Sequence, residues 1–326
     1  MSKSLNGGNL ERNIALELVR TTEAAAIASA RYLGLGDKEK VDQSAVDAMR
    51  MVLGNISMAG IVVIGEGEKD EAPMLYIGEK IGNGSTPIVD IAVDPVDGTN
   101  LVSKGLPGAI SAIVIAPRDT INFPSQFVYM DKIVTGEDAK DCVNIEEPVA
   151  TNLMNIAKAK QRNISEITVV VLDRPRHEKL ISEISESGAR IKLITDGDIS
   201  AAIHAAMPDT GVDVLMGIGG TPEGVISAAA VKCIGGVIQG KIWPRNDTEL
   251  EMAKEAGVHE KVYTTDDLVN SDDVFLSVTG ISSGELLTGV RYSGNTAQTQ
   301  SLVMRSLSGT LRWIDATHNL SRLDKI

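Results

Sequence analysis

Only two of the 326 residues are cysteine, and Cys142 and Cys233 sit in neither a CxxC pair nor a spacing that suits a metal ion. A disulfide framework and a zinc site are therefore disfavoured, and both thiols are expected to be reduced and either buried or incidental. Four scattered histidines without an HExxH pattern leave zinc-protease chemistry without support. Aromatic residues make up 3%, too few for a base-stacking platform. Positive charge is also short, with 31 Lys and Arg against 44 Asp and Glu, and the net charge of −13 disfavours nonspecific attraction to nucleic acid or anionic membrane. No apolar run reaches the length of about eighteen residues needed to cross a bilayer. The opening MSKSLNGGNLER lacks the apolar core of a secretory signal, so a cytoplasmic protein with neither membrane nor nucleic-acid partner is expected. The absence of a GxxxxGK[ST] loop argues against an ATP-using kinase.

The chain does carry a large apolar content, 43%, with 23% charged residues, as a packed globular protein should. Its length suits two associated domains or one large layered unit. Helical patterning over 9–33 stops at GLGD, and a second helix is expected from about Gln43 to Leu53 with Asp42 as its cap. GIVVIG (60–65) reads as a buried strand, APMLYIGEKI (72–81) as a helix, and 87–94, 109–115 and 127–134 as further strands. After a helix at 151–160 the texture becomes regular. ITVVVLD, IKLIT and VDVLMGI are each followed by a helical segment, which predicts a parallel or mixed sheet with helices on its faces and a soft boundary near residue 150.

Ligand crevices in open α/β sheets lie beyond the carboxyl ends of the strands, and here those ends are rich in charge. GIVVIG runs into GEGEKDE, IVDIAV into DPVDGT, ITVVVL into DRPRH, IKLIT into DGD and VDVLMGI into GGTPEG. Asp94 and Asp97 flank a proline-stiffened turn, where two close anions require something positive. Glu66 lies between Gly65 and Gly67, with Asp70 four residues on, and its carboxylate together with Asp94 and Asp97 suits a shared Mg²⁺ or Mn²⁺ site. Glu68 and Glu71 read better as an acidic surface turn. Thr99, directly after the turn, is placed to orient a water. Arg174 and Arg176 flank Pro175; on an extended segment they would point to one side and suit a phosphate, whereas at a helix start they would be surface arginines. His177 is expected at the surface or in the first turn. Asp196 and Asp198 could accept from sugar hydroxyls, and Asp198 could equally cap a helix. GIGGTPEG has proline where a dinucleotide fingerprint needs its third glycine, but it sets Gly220 and Glu223 at a helix start.

GEGEKDEAPMLYIGE, DIAVDPVDGTN, DRPRH, DGD and GIGGTPEGVISAAA, in this order and over nearly the whole chain, closely resemble the class II (GlpX-type) fructose-1,6-bisphosphatases. DPVDGT is also similar to the wider lithium-sensitive, metal-dependent sugar and inositol phosphatase superfamily. That resemblance implies an α/β fold, a layered α/β/α/β/α sandwich of two associated subdomains. Residues 1–150 would bind metal and 151–326 would contribute sugar-phosphate contacts. It further implies metal ligands at Asp42, Glu66, Asp94, Asp97 and Glu223. Substrate contacts would fall at Asp97, Gly98, Thr99, Tyr129, Arg174, Pro175, Arg176, Asp196, Gly197, Asp198 and Gly220. Members of the class often carry Glu where this chain has Asp97, which shortens the reach of that ligand. Tyr129 is chosen by the resemblance alone.

The expected chemistry is metal-dependent hydrolysis of the 1-phosphate of fructose 1,6-bisphosphate, a step of gluconeogenesis, with Mg²⁺ or Mn²⁺ as cofactor. Thr99, with Asp42 or Asp70, would handle the attacking water. Sedoheptulose 1,7-bisphosphate is a second expected substrate, and a homo-oligomer, dimer or tetramer, is expected. Three other readings compete. An inositol phosphatase or nucleotide 3′-phosphatase is disfavoured because Trp313 and Asp315 are split by Ile314 instead of forming a WD pair. A noncatalytic sugar-phosphate sensor is disfavoured by the intact Thr99 and carboxylates. A dehydrogenase is the weakest.

Overall fold

A computed structural model of the chain describes residues 10, 13–67, 74–122 and 124–323. Two compact units are formed, one from the described residues within Met1–Ile121 and Ser271–Ile326, the other from those within Asn122–Asn270. The seams thus fall after Ile121 and after Asn270 and not near residue 150. Strand Tyr129–Thr135 already pairs with Val214–Gly220, while Phe275–Gly280 returns to pair with Ile110–Pro117. The protein is α/β, with two mixed sheets and ten α-helices among the described residues, consistent with the layered α/β class expected.

In the first unit the sheet runs Arg291–Ser293, Thr296–Arg305, Phe275–Gly280, Ile110–Pro117, Ile88–Asp97, Ala59–Ile64, Lys80–Ile81, with Thr310–Asn319 also paired to Thr296–Arg305. Helices Ile14–Ala30 and Lys38–Leu53 pack on it, burying Leu18, Val41, Met49 and Leu53 with Val62, Ile91, Ile113 and Ile115. Burying one such side chain contributes about 1.5–3 kcal/mol, which makes this apolar face the main support of the unit. The second helix begins a turn earlier than its apolar pattern suggests. Asp37 is the cap, accepting from the Lys40 amide, so Asp42 lies inside the helix and its carboxylate is released for other work.

The helix expected over 72–81 is not formed. Residues 72–73 lie outside the described residues, 74–79 are bends and turns, and Lys80–Ile81 is a short strand on Ala59–Ile64. Leu75 and Gly78 both adopt left-handed backbone, at φ 54° and 93°, which breaks the helical pattern. The Glu79 carboxylate then takes the Leu75 amide and the Arg50 guanidinium.

In the second unit the sheet order is Val262–Thr264, Val237–Ile242, Tyr129–Thr135, Val214–Gly220, Thr168–Leu172, Arg190–Ile194, and the last three strands are mutually parallel. Alternation along the strands sends Ile133, Val169, Val171, Val214 and Met216 to one face, against helices Val149–Ala159 and Glu178–Glu186. Met130, Lys132, Val134 and Leu215 point to the other face, where helices Asp198–Ala206 and Thr221–Ile234 pack. Helices on both faces make this unit a three-layer sandwich. Cys142 is free and half-buried, and Cys233 is free and buried, as expected.

Candidate active site

In the first unit the sequence DPVDGT is explained by a β-bulge. Asp94 pairs with Ala112 and Asp97 with Ile110, so three steps on one strand answer two on its neighbour. Residues three apart normally face opposite sides of a sheet; the extra residue restores the parity, and both carboxylates follow the side set by Ala112 and Ile110. Pro95 is tolerated because a bulge leaves a ladder position unfilled. The Asp94 carboxylate accepts from the Val96 amide at 3.1 Å, tightening the turn. Gly98, at φ 98°, then starts the short helix Thr99–Lys104, and an added Cβ would meet the Leu101 side chain at 2.8 Å.

Strand Ala59–Ile64 runs parallel to Ile88–Asp97, with Ile64 opposite Ala92, so Glu66 leaves its strand at the same sheet end as Asp94. Gly65 is required there: a Cβ would stand 2.0 Å from the Leu75 carbonyl oxygen. From the helix Lys38–Leu53, Asp42 accepts a 2.6 Å hydrogen bond from the Thr99 hydroxyl. Burial raises the Asp42 carboxyl above the ordinary range, and the Thr99 bond opposes that shift. Glu66 is exposed at the surface, but protein packed around its carboxyl desolvates it, and this, with the Asp42 charge second, pushes it up to about 7. Asp97 is buried at 4% exposure. Asp70, an expected proton acceptor, lies outside the described residues.

In the second unit the three parallel strands and the start of Tyr129–Thr135 bring four predicted segments to one sheet end. These are Arg174–Arg176, Asp196–Asp198, Gly220–Glu223 and Tyr129, the last directly opposite Gly220. The two arginines do not share an extended segment. Arg174 is extended, but Pro175–His177 is a 3₁₀ turn, because the fixed φ of proline suits a helical first turn as well as an extended chain. Arg174 donates to the Asp173 carbonyl at 3.0 Å. Arg176 makes two bonds to the Ile218 carbonyl, at 3.2 and 2.8 Å, and lies 5.0 Å over the Tyr129 ring, whose edge contact with Trp243 is 6.1 Å between centroids. Guanidinium and ring are held before any ligand arrives.

Of the two places expected for His177, the surface is excluded: it is buried, at the end of the 3₁₀ turn that leads into helix Glu178–Glu186. Its Nε2 accepts from the Ile218 amide at 2.7 Å, so the proton sits on Nδ1 and is donated to the Leu172 carbonyl, also 2.7 Å away. Desolvation holds its pKa below the usual range and preserves this neutral form. Asp198 is not a cap either, since Gly197 at φ 85° takes that place and Asp198 is the first helical residue.

Lys132 was not singled out by the sequence reading. Its ammonium, 2% exposed, donates to Asp198 Oδ2 at 2.5 Å and to the Gly220 carbonyl at 3.2 Å. A signal was present: a lysine between Met130 and Val134, on the core face of a strand, demands a buried partner. Glu223 lies against Gly220, and burial, with the nearby Asp198 charge second, pushes its carboxyl up to about 7. Its Oε2 and the Thr221 hydroxyl are buried without a hydrogen-bond partner among the described residues.

Among the described residues no three or more Asp, Glu, His or Cys side chains assemble into a metal site. The donors still suit a hard divalent cation. In each unit they are carboxylates: in the first, Glu66 is raised in part by the Asp42 charge that a cation would offset, and in the second, Glu223 keeps a buried oxygen with no partner among the described residues.

Residues 12–318 match the family described as "Bacterial fructose-1,6-bisphosphatase, glpX-encoded". The chain is 42% identical, over 97% of its own length and 98% of the relative, to fructose-1,6-bisphosphatase 1 class 2 of Escherichia coli strain K12. The same identity and coverage hold for the class 2 fructose-1,6-bisphosphatase of Shigella flexneri. With a match that spans both units, the chain belongs to the family of bacterial, glpX-encoded fructose-1,6-bisphosphatases.

Proposed function

We propose that the protein hydrolyses the 1-phosphate of fructose 1,6-bisphosphate to fructose 6-phosphate and phosphate, a gluconeogenic step, as a dimer or tetramer using Mg²⁺ or Mn²⁺. The observation that carries the reading is the Thr99–Asp42 hydrogen bond at the end of the bulged Asp94–Asp97 strand, in a chain of this family. Asp42, Glu66, Asp94, Asp97 and Glu223 would hold the ions. When bound, these supply Lewis-acid charge that neutralises phosphate oxygens and acidifies a nearby water.

The Thr99 hydroxyl gives its hydrogen to Asp42 and keeps its lone pairs for an incoming water. As that water attacks phosphorus, the sugar oxygen leaves with the bonding electron pair and takes up a proton from solvent, while the water proton passes to Thr99 Oγ1 and the Thr99 proton passes to Asp42 Oδ1. Asp70 is the alternative acceptor. Arg174 and Arg176 anchor the second phosphate, with Tyr129 beside it, while the Asp196–Asp198 segment, Gly98 and Gly220 contact the sugar. The same groups suit sedoheptulose 1,7-bisphosphate.

Arg176→Lys is expected to raise KM for fructose 1,6-bisphosphate about tenfold with little change in kcat. An ammonium can neither make the paired bonds to the Ile218 carbonyl nor lie flat on Tyr129. Steady-state kinetics at saturating metal check this. The function itself is tested by phosphate release from fructose 1,6-bisphosphate with Mg²⁺ or Mn²⁺ and again with a chelator. Release that is metal-dependent supports it. Faster release from an inositol monophosphate or a 3′-phosphonucleotide favours the related phosphatases, and calorimetric binding without release favours a sensor.

A further inference from the structure

A cation on the core face of strand Tyr129–Thr135 needs a reason. Lys132 stands at the first turns of helices Asp198–Ala206 and Thr221–Ile234, where the helix dipoles are positive and a cation is disfavoured. Burying an ammonium is also costly, and an apolar side chain of like size would pack beside Met130 and Val134 without either penalty. The group is nevertheless satisfied on both helices, by the Asp198 carboxylate and by the Gly220 carbonyl. The fit is tight. A Cβ added at Gly219 would meet Asp198 Oδ2 at 2.1 Å and Lys132 Nζ at 2.7 Å, and one at Gly224 would meet the Lys132 chain at 3.2 Å.

We infer that Lys132 is a positioning residue, a single clamp that fixes the Asp196–Asp198 turn and the Gly220–Glu223 turn to one another so that both present a prearranged surface to the sugar bisphosphate. This rests on the function proposed above. The clamp also divides the labour of the two carboxylates. Asp198 is committed to Lys132, and Glu223, whose Oε2 has no partner among the described residues, is left for a ligand from outside.

The test compares Lys132→Met with Val134→Ala, a core truncation two residues along the same face of the same strand. Both variants should melt earlier than the parent protein, Val134→Ala through the cavity it leaves and Lys132→Met because the Asp198 carboxylate stays buried without its partner. Only Lys132→Met should raise KM for fructose 1,6-bisphosphate, by about tenfold or more, since displacement of contacts by an ångström is enough for losses of that size. Hydrogen exchange, which needs no activity, should speed up at 196–200 and 219–224 together in Lys132→Met and at neither in Val134→Ala. Unchanged exchange at both turns would overturn the clamp even if the enzyme assay succeeds. Selective exchange at both turns in a protein that releases no phosphate would retain the clamp and reject the substrate. If Lys132→Met does not fold, Asp198→Asn, which keeps the shape and removes the charge, should give the same paired exchange signature, and its absence would count against the proposal.

Discussion

Thr99→Ala lowers kcat on fructose 1,6-bisphosphate by about 10²- to 10³-fold, the usual worth of a positioned proton-transfer group, and leaves KM within about threefold. The expectation follows from one contact. The hydroxyl is 2.6 Å from Asp42 Oδ1, so its hydrogen is spoken for and its lone pairs are directed elsewhere. Alanine removes the acceptor for the water and leaves Asp42 without the bond that offsets its burial. Thr99→Ser keeps the oxygen and recovers most of the turnover. Asp42→Asn is also slow, but the double variant is scarcely slower than either single one, because two groups on one proton path are lost as a unit. A Thr99→Ala enzyme with more than half its parental kcat ends the water-handling role, and strictly additive losses would separate Thr99 from Asp42.

Saturating Mg²⁺ raises the melting temperature far more at pH 8 than at pH 5.5. Glu66 and Glu223 both stand near 7 when folded, above an ordinary carboxyl value of 4.5. Their raised folded values mean that, between about 4.5 and 7, the folded protein holds protons that the unfolded chain releases. The metal-free protein is accordingly favoured below this window and loses stability as pH rises through it. A divalent ion replaces those protons, so it restores at pH 8 what the charged carboxylates removed. At pH 8 an ion present at a hundred times its dissociation constant adds about 2.7 kcal/mol, or roughly 4 °C for a chain of this size. At pH 5.5 competition by one proton weakens binding about 30-fold, and the same ion concentration adds less than about 1 kcal/mol. Thermal melts with and without chelator at the two pH values check this. Equal increments at both would show that these carboxylates do not take up the ion.

Much of the candidate site was legible because its residues sit where strands end, and strand ends are marked locally. Ile88–Asp97 and Val214–Gly220 extend two or three residues past their apolar runs, but the acidic and glycine residues that follow were found in place. Legibility failed where a residue's role is set by a distant partner. Asp42 reads as a cap until Asp37 is seen to do that work, and only the fold brings Thr99 onto its carboxylate. His177 reads as a surface or first-turn residue beside two arginines, and nothing local shows that it is buried and pins the Leu172 carbonyl to the Ile218 amide. Arg174 and Arg176 follow different courses because proline is as suited to a 3₁₀ turn as to an extended chain, and local sequence does not choose between them.

From the sequence alone came the α/β class, the family, and the carboxylates and arginines gathered at strand ends, since periodicity and residue type are properties of short segments. Tertiary structure alone decided the seams of the two units, the bulge that gives Asp94 and Asp97 one side, the hydrogen bond from Thr99 to Asp42, and the burial of Lys132 between two helix starts. Each of these depends on which distant segment pairs with which, and on how much water is left around a charge once it has done so.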